Sequence, residues 1–223
     1  MPAAVTGTRT KRRAVGDEAK AQRREAILTA AKRVFAKKGF HATTVADIAK
    51  AARISYGSIY WYFDSKEALF HELMDAEERA LRVHIEQALA RAVGDRATGL
   101  DDGVAAFRAA VQATFEFFEA DRALVKLLFR DAYALGGRFE KHLFGIYERF
   151  IGDIEAMIAA GQQAGMIVQA PPRMVAFSLA ALIGQIAHRR LTTDDGLDAG
   201  VVADFVVALV LEGLLPRSPE VTA

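Results

Sequence analysis

Residues 43–63 read TTVADIAKAARISYGSIYWYF, and this stretch decides the fold of the N-terminal part of the chain. Thr44 is followed three residues later by Asp47, which is the spacing of a capping box and predicts the start of a short helix. Ser55 precedes a second short helix that ends by Phe63, and a serine is a favoured residue at such a position. Two short helices joined by a tight turn are the layout of a helix-turn-helix, whose second helix enters the major groove of DNA.

Lysine and arginine are concentrated around this stretch. Residues 1–70 contain 14 Lys and Arg against 6 Asp and Glu, whereas residues 71–223 contain 15 against 22. The two parts therefore carry +8 and −7, which sum to the net charge of +1. A basic end on an acidic body favours contact between that end and a polyanion. The alternative interpretation is an ordinary solvated surface.

The composition excludes several kinds of site. The chain has no cysteine, which excludes disulfides, thiolate metal sites and cysteine nucleophiles and fits a cytoplasmic protein. No apolar run approaches the roughly 20 residues that span a bilayer, so we expect no membrane partner. His71 and Glu72 begin like a zinc-protease helix, but Asp75 occupies the place of the second histidine. No phosphate loop, dinucleotide motif or serine elbow occurs, so we expect no enzyme, metal or cofactor.

Apolar residues recur every three or four positions along most of the chain, and no segment alternates with the period of a strand. We therefore predict an all-α fold of about nine helices, with a three-helix helix-turn-helix domain over 21–68 and a larger helical domain over 69–216. Residues 1–20 lack periodicity and are predicted to form a disordered basic arm, which either reaches an adjacent minor groove or stays a solvated tail. Residues 217–223 are predicted to form a flexible tail.

The second short helix contains the side chains that we expect to meet DNA. Four consecutive aromatics occupy 60–63 and cannot all be core, because they point around most of a helix. We expect Tyr60 and Phe63 to pack inward, and Trp61 and Tyr62 to face outward, where an N–H or O–H can bond a phosphate. The alternative is that all four are packing residues and that Thr44 is a plain cap. The full candidate DNA-binding set is Thr43, Thr44, Ser55, Tyr56, Gly57, Ser58, Tyr60, Trp61, Tyr62 and Lys66.

Residues 24–73 resemble the N-terminal domain of the tetracycline-repressor (TetR) family of bacterial transcriptional regulators. The similarity lies in IL at 27–28 through Phe35, GF at 39–40, TTVADIA at 43–49, SYGSIYWYF at 55–63 and SKEAL at 65–69. It implies a symmetric homodimer with a variable helical ligand-binding domain, and a dimer interface built from the last two long helices. It also implies that Thr44, Ser58, Tyr62 and Lys66 contact phosphates, while Tyr56 and its neighbours read bases. Tyr56 departs from the basic or small residue frequent in the family, so the operator sequence is not implied.

Phenylalanines are unusually frequent in the larger domain, at helical spacing. Such a stripe is either plain core or the lining of a cavity for a large apolar effector, such as a fatty acid, an acyl-CoA or a sterol-like molecule. The candidate pocket residues are Phe107, Val111, Phe115, Phe118, Leu128, Phe129, Tyr133, Phe139, Phe144 and Tyr147.

Residues 173–190 and 199–215 are apolar almost all round, and helices of this kind must be buried. Few other elements remain to cover them, so a second subunit is the natural cover. The candidate interface residues are Phe177, Ala181, Gly184, Phe205, Leu209 and Gly213.

Together these observations predict a dimeric DNA-binding regulator, in the first place a repressor, that leaves a near-palindromic double-stranded operator when a small hydrophobic effector binds. The alternative is a helical carrier of hydrophobic ligands whose N-terminal unit docks a protein partner.

Overall fold

The computed structural model describes residues 6–93, 99–128, 138–193 and 196–214. Over these ranges the chain forms helices and no strand, so the all-α prediction is confirmed. The helices are α1 (Thr6–Lys38), α2 (Val45–Ala52), α3 (Tyr56–Ile59), α4 (Lys66–Val93), α5 (Leu100–Ala120), α6 (Arg122–Lys126), α7 (Arg138–Gln163), α8 (Pro172–Thr192) and α9 (Ala199–Leu214). Of the helices in these ranges, none has the length and hydropathy that crossing a membrane requires.

Helix α1 begins much earlier than the sequence predicted. The expected disordered arm over 1–20 is helical from Thr6 onward. The segment 6–20 contains no proline and is rich in Lys, Arg and Ala, which favour helix. Extending a helix that is already nucleated adds one hydrogen bond per residue, so a polar segment without its own periodicity can still continue it. Residues 1–5 and the predicted tail 217–223 lie outside the described residues.

The chain divides into two compact units, Met1–Met74 and Asp75–Ala223. In the first unit α1 packs on α2, and α2 packs on α3. Its centre is a cluster of three phenylalanines: the ring of Phe35 lies 5.6 Å from Phe40 and 5.3 Å from Phe70, and Phe40 lies 5.2 Å from Phe70. Burying each ring contributes about 2–3 kcal/mol. The cluster therefore joins α1 to the start of α4. Helix α2 packs on α1, and α3 packs on α2.

In the second unit α5 packs against α8 and α9, and α7 packs against α8. Val111 and Phe115 of α5 lie in one buried cluster with residues of α8 and α9 such as Ile183 and Val206. A second cluster joins Ile151 of α7 to Ala176 and Ala180 of α8. Apolar residues three or four positions apart place one stripe of each helix in these clusters.

Candidate nucleic-acid interface

The start of α2 is closed by the predicted capping box. The Thr44 hydroxyl accepts the Asp47 N–H at 3.2 Å, and the Asp47 carboxylate accepts the Thr44 N–H at 3.0 Å. Lys38 Nζ lies 2.6 Å from the same carboxylate. The hydrogen bond from Lys38, and then those from Thr44, lower the pKa of Asp47 to about 2. The carboxylate therefore stays ionised at neutral pH and keeps Thr44, which is exposed, in a fixed position.

Helix α3 is capped by Ser55, as predicted. Its Oγ accepts the Ser58 N–H at 3.1 Å, and the two serine hydroxyls lie 2.6 Å apart. The turn before it ends α2 at Arg53, whose φ of 56° lies in the left-handed region. Arg53 is exposed, so the turn presents a positive charge to solvent two residues before the exposed Ser55 cap.

The aromatic run is divided between core and surface differently from the prediction. Ile59 and Phe63 are 1% and 3% exposed, as expected, and Trp61 is 80% exposed. Tyr60, however, is 43% exposed, so its predicted inward packing is wrong. The reason is that α3 ends at Ile59, and Tyr60 begins a turn instead of continuing the buried face. Tyr62 is half-buried.

Tyr60 instead packs on Tyr56 outside the core. Their rings are edge-to-face with centroids 5.3 Å apart, and their hydroxyl oxygens are 2.9 Å apart. Tyr56 is itself 55% exposed. The hydrogen bond to Tyr56 raises the pKa of the Tyr60 phenol.

Gly57 lies between these residues and has no role in the packing of its own unit. A Cβ added there meets no atom within 4 Å. Its φ is not among the positive values of the described backbone. A glycine in a helix costs stability relative to alanine, and here neither space nor backbone geometry inside the protein requires one.

Two of the predicted DNA-binding residues stabilise the fold. Thr43 is 1% exposed and its hydroxyl donates to the Gly39 carbonyl at 2.7 Å. Its side chain is therefore buried, contrary to its predicted place at the DNA-binding surface. Lys66 Nζ donates to the carbonyls of Phe40 and Thr43, each at 2.8 Å, and lies 4.3 Å from the centroid of the Phe40 ring. An ammonium has three protons, so one proton of Lys66 remains for another acceptor. Lys66 therefore ties the start of α4 to the segment between α1 and α2.

Arg24 is a residue whose role sequence reasoning missed. Its guanidinium forms two hydrogen bonds with the Glu72 carboxylate, donates to the Tyr62 carbonyl at 2.5 Å, and lies 4.5 Å from the centroid of the Phe63 ring. The hydrogen bond that Arg24 donates to Glu72 raises the pKa of Arg24. Arg24 thus joins α1, α4 and the end of the aromatic run. The available signal was its position three residues before buried Ile27, on the inner face of α1.

The candidate pocket residues do not form one lining in the described structure. Val111 and Phe115 are buried in the α5–α8–α9 cluster, and Phe107 and Phe118 pack against it, which is the plain-core alternative. Tyr147 packs against the separate α7–α8 cluster, Leu128 is half-buried and Phe144 is 60% exposed. Phe129 and Tyr133 lie outside the described residues, and so does the side chain of Phe139.

Three of the six candidate dimer residues are exposed on α8 and α9. Phe177, Phe205 and Leu209 are 49%, 62% and 51% exposed. Ala181 and Gly184 are half-buried, and Gly213 belongs to α9 but its exposure is outside the described set. Met174 and Val201 add to the exposed apolar side chains. We call Met174, Phe177, Val201, Phe205 and Leu209 the apolar strip; its contact with a second subunit stays a prediction.

Helix α4 is tied to α7 by charged groups within the second unit. The Glu78 carboxylate accepts two hydrogen bonds from Arg149, at 2.9 and 2.6 Å, and these lower the pKa of Glu78. Arg82 donates to Asp153 at 2.6 Å. Since α4 runs from Lys66 to Val93, one helix carries the Lys66 tie in the first unit and these ion pairs in the second. In the described part of the chain, no His, Asp and Glu side chains are grouped as a metal site requires.

Comparison with known proteins agrees with the motif and extends beyond it. The model of the bacterial regulatory proteins of the tetR family matches residues 27–73. The uncharacterized HTH-type transcriptional regulator YdgC of Bacillus subtilis is 28% identical over 200 residues, which are 89% of this chain and 95% of that protein. The transcriptional repressor KstR2 of Rhodococcus jostii is 36% identical over 108 residues, covering 48% of this chain and 49% of that protein. The transcriptional activator FasR of Mycolicibacterium smegmatis is 27% identical over 193 residues, covering 86% and 83%.

Two solved structures show the same fold at low sequence identity. The regulator FadR of Bacillus subtilis, in complex with stearoyl-CoA, superposes with a TM-score of 0.72 at 20% identity, over 85% of this chain and 98% of that one. AibR, in complex with isovaleryl coenzyme A and operator DNA, superposes with a TM-score of 0.65 at 23% identity, over 84% and 97%. At these identities the likeness concerns the fold alone.

Proposed function

We propose that the chain, a member of the TetR family of bacterial transcriptional regulators, binds a near-palindromic DNA operator as a homodimer, with one α3 per subunit in successive major grooves. The observation that carries this proposal is the composition of the exposed face of α2 and α3. Short hydroxyl residues cap both helices, and Tyr56 in α3 and Trp61 just after it are exposed although both have large apolar rings. Packing against base edges would remove these apolar rings from water.

Phosphate contacts follow from the groups at the edge of this face. The N-terminus of α2 carries the positive end of the helix dipole, and the exposed Thr44 hydroxyl lies beside it. The exposed Trp61 and Arg53 on the same unit add an indole N–H and a positive charge, and Lys66 adds a second positive charge. These contacts position the protein, and they carry no sequence information by themselves.

The test of DNA binding is the salt dependence of affinity for a duplex selected by the protein from a random library. If the dimer neutralises about six to ten phosphates, raising salt from about 50 to 200 mM lowers affinity about 10³- to 10⁵-fold. Trp61→Phe keeps an aromatic side chain and removes the N–H, so it should weaken binding to all duplexes alike. A flat salt profile would contradict the proposal and favour the carrier alternative.

The apolar strip supports the homodimer. Its side chains are exposed on two helices that share a buried cluster and whose inner faces are already covered, for instance at Ala176 and Val206. Two-fold dimers bury the same patch on both subunits. Phe205→Arg should therefore yield monomers in sedimentation and weaken operator binding. Val83→Arg is the matched control, because Val83 is 48% exposed but lies on α4, a helix that contributes no residue to the apolar strip. Dimers that survive Phe205→Arg would contradict this interface.

The effector that we propose is an acyl-CoA thioester or a fatty acid. The support is that FadR and AibR share the fold and their solved complexes contain stearoyl-CoA and isovaleryl coenzyme A. Thermal melts with a series of acyl-CoAs from short to long chains test it, with free coenzyme A and free fatty acids as controls. A ligand present at about 100 times its Kd adds about 2.7 kcal/mol to the free energy of unfolding. Native mass spectrometry of the purified protein would reveal a lipid that co-purifies. If stabilisation does not depend on acyl-chain length in any series, the proposed effector class is wrong.

We infer that the effector acts by selecting a state that fits DNA poorly. It must bind that state more tightly than the operator-bound state, because equal affinity shifts nothing. Helix α4 is our candidate for carrying the effect of the ligand to the DNA-binding unit. Its residues belong to both units, and it is joined to α7 through Glu78 and Arg149. The relatives include a repressor and an activator by name, and we propose repression in the cytoplasm, with release by the effector. In vitro transcription with and without acyl-CoA distinguishes repression from activation.

A further inference from the structure

Tyr56 and Tyr60 form a pair that the fold of the first unit does not use. Their rings lie edge-to-face and their hydroxyl oxygens are 2.9 Å apart, at positions i and i+4. Both side chains are largely exposed, at 55% and 43%. Within the described residues, neither hydroxyl has a hydrogen bond to any other group. Each phenol thus depends on the other for its orientation.

The pair has a defined hydrogen-bonding capacity. Two phenols carry two protons, and the bond between them uses one. One O–H donor is therefore left to point outward, and it lies at the end of two aromatic rings. The outward face of the pair combines a single donor with a large apolar surface.

We propose that the Tyr56–Tyr60 pair reads a thymine as a unit, with the free hydroxyl donating to O4 and a ring packing on the C5-methyl group. This inference rests on the proposed operator binding. In the major groove only thymine presents an acceptor beside a methyl group. Guanine presents two acceptors and suits a side chain with two donors, and neither guanine nor adenine has a methyl group for the tyrosine rings to cover. The tyrosine whose hydroxyl does not reach the base is a positioning residue, because its hydrogen bond fixes the direction of the other.

Base analogues in the selected operator separate the two contacts. Deoxyuridine at the contacted position removes only the methyl group, and we expect about a fourfold loss of affinity per half-site, equivalent to one buried carbon. 4-Thiothymidine keeps the methyl group and the pairing with adenine but weakens the acceptor, and we expect about a fivefold loss. If neither analogue changes the affinity at any thymine of the operator, the assignment is wrong.

Variants test whether the pair acts as a unit. Tyr56→Phe and Tyr60→Phe each keep the ring, and each should lower affinity for the selected operator about fivefold. The double variant should show about the same fivefold loss, whereas independent contacts would multiply to about 25-fold. Both single variants should also abolish the effect of 4-thiothymidine while keeping that of deoxyuridine, a readout that a merely structural role of the pair would not produce.

Tyr62→Phe is the matched control, because Tyr62 is a phenol of the same run without a tyrosine partner. It should weaken all duplexes equally and leave both analogue effects unchanged. Multiplicative losses in the double variant, or analogue effects that persist in the single variants, would overturn the proposal while operator binding itself stands. If no duplex is enriched by the wild-type protein, the proposed function fails instead.

Discussion

Replacing Gly57 by alanine should change stability and DNA affinity in opposite directions. A methyl group at Gly57 meets no atom of the protein within 4 Å, so the substitution introduces no clash in the free protein. Removing a helical glycine stabilises by about 0.5–1 kcal/mol, which raises Tm by about 1–4 °C in a chain of this size. In the complex the same methyl group would stand between the backbone of α3 and the duplex. Accommodating it should cost about tenfold in affinity per half-site, or about 1.4 kcal/mol.

The assay combines thermal melts with operator titrations at fixed salt. Gly103→Ala is the matched control: Gly103 also lies in the first turns of a helix, is exposed and has open space around its Cβ, but belongs to α5 of the second unit. It should raise Tm by a similar amount and leave affinity unchanged. If Gly57→Ala raises Tm without weakening the complex, the duplex does not approach this backbone. A fall in Tm would show that the glycine serves the fold after all.

Substitutions at three further positions test the first unit. Arg24→Met should lower the free energy of unfolding by about 1–2 kcal/mol, because it leaves the Glu72 carboxylate without its partner. The pair is about one-third exposed, and a double-mutant cycle with Glu72→Gln in urea measures its interaction energy. The pKa of Asp47, at about 2, lies below its ordinary value of 3.8, so its charged form stabilises the fold above about pH 4 and this contribution is lost as pH falls towards about 2. Lys38→Met removes the main cause and should move that loss to higher pH in urea titrations. Arg53→Gly should raise Tm because it relieves a left-handed residue at φ 56°, while Arg53→Ala should not; both should weaken DNA binding equally through the lost charge.

The capped starts of α2 and α3 were predictable from the sequence because capping is local. Thr44 and Asp47 are three residues apart, and their mutual hydrogen bonds need no other part of the chain. The same holds for Ser55 before α3. The N-terminal extension of α1 was not predictable by this route, since its helix has no apolar face of its own and follows from continuity with a segment that has one.

The side-chain positions in the aromatic run depended on where α3 ends, which periodicity does not determine. A single helix through residue 63 would have placed Tyr60 near the buried face, but the helix ends at Ile59. Arg24 and Lys66 make contacts across 38 and 26 residues of sequence, so their partners were beyond any local pattern. The pocket prediction depended on spacing alone, and the spacing of Val111 and Phe115 equally suits the packed core in which they lie.

Residues that hold the first unit together alternate with residues that face outward along the same short motif. Buried Thr43 precedes exposed Thr44, and Trp61 at 80% exposure stands two residues before buried Phe63. Lys66 combines both roles, since two of its protons bond carbonyls of the fold and one remains. Loss of DNA binding in a Lys66→Ala variant would therefore not by itself show a phosphate contact, because the start of α4 loses its anchor as well. It follows that only the exposed members of the motif can vary to change the operator without changing the fold, and Tyr56 is foremost among them.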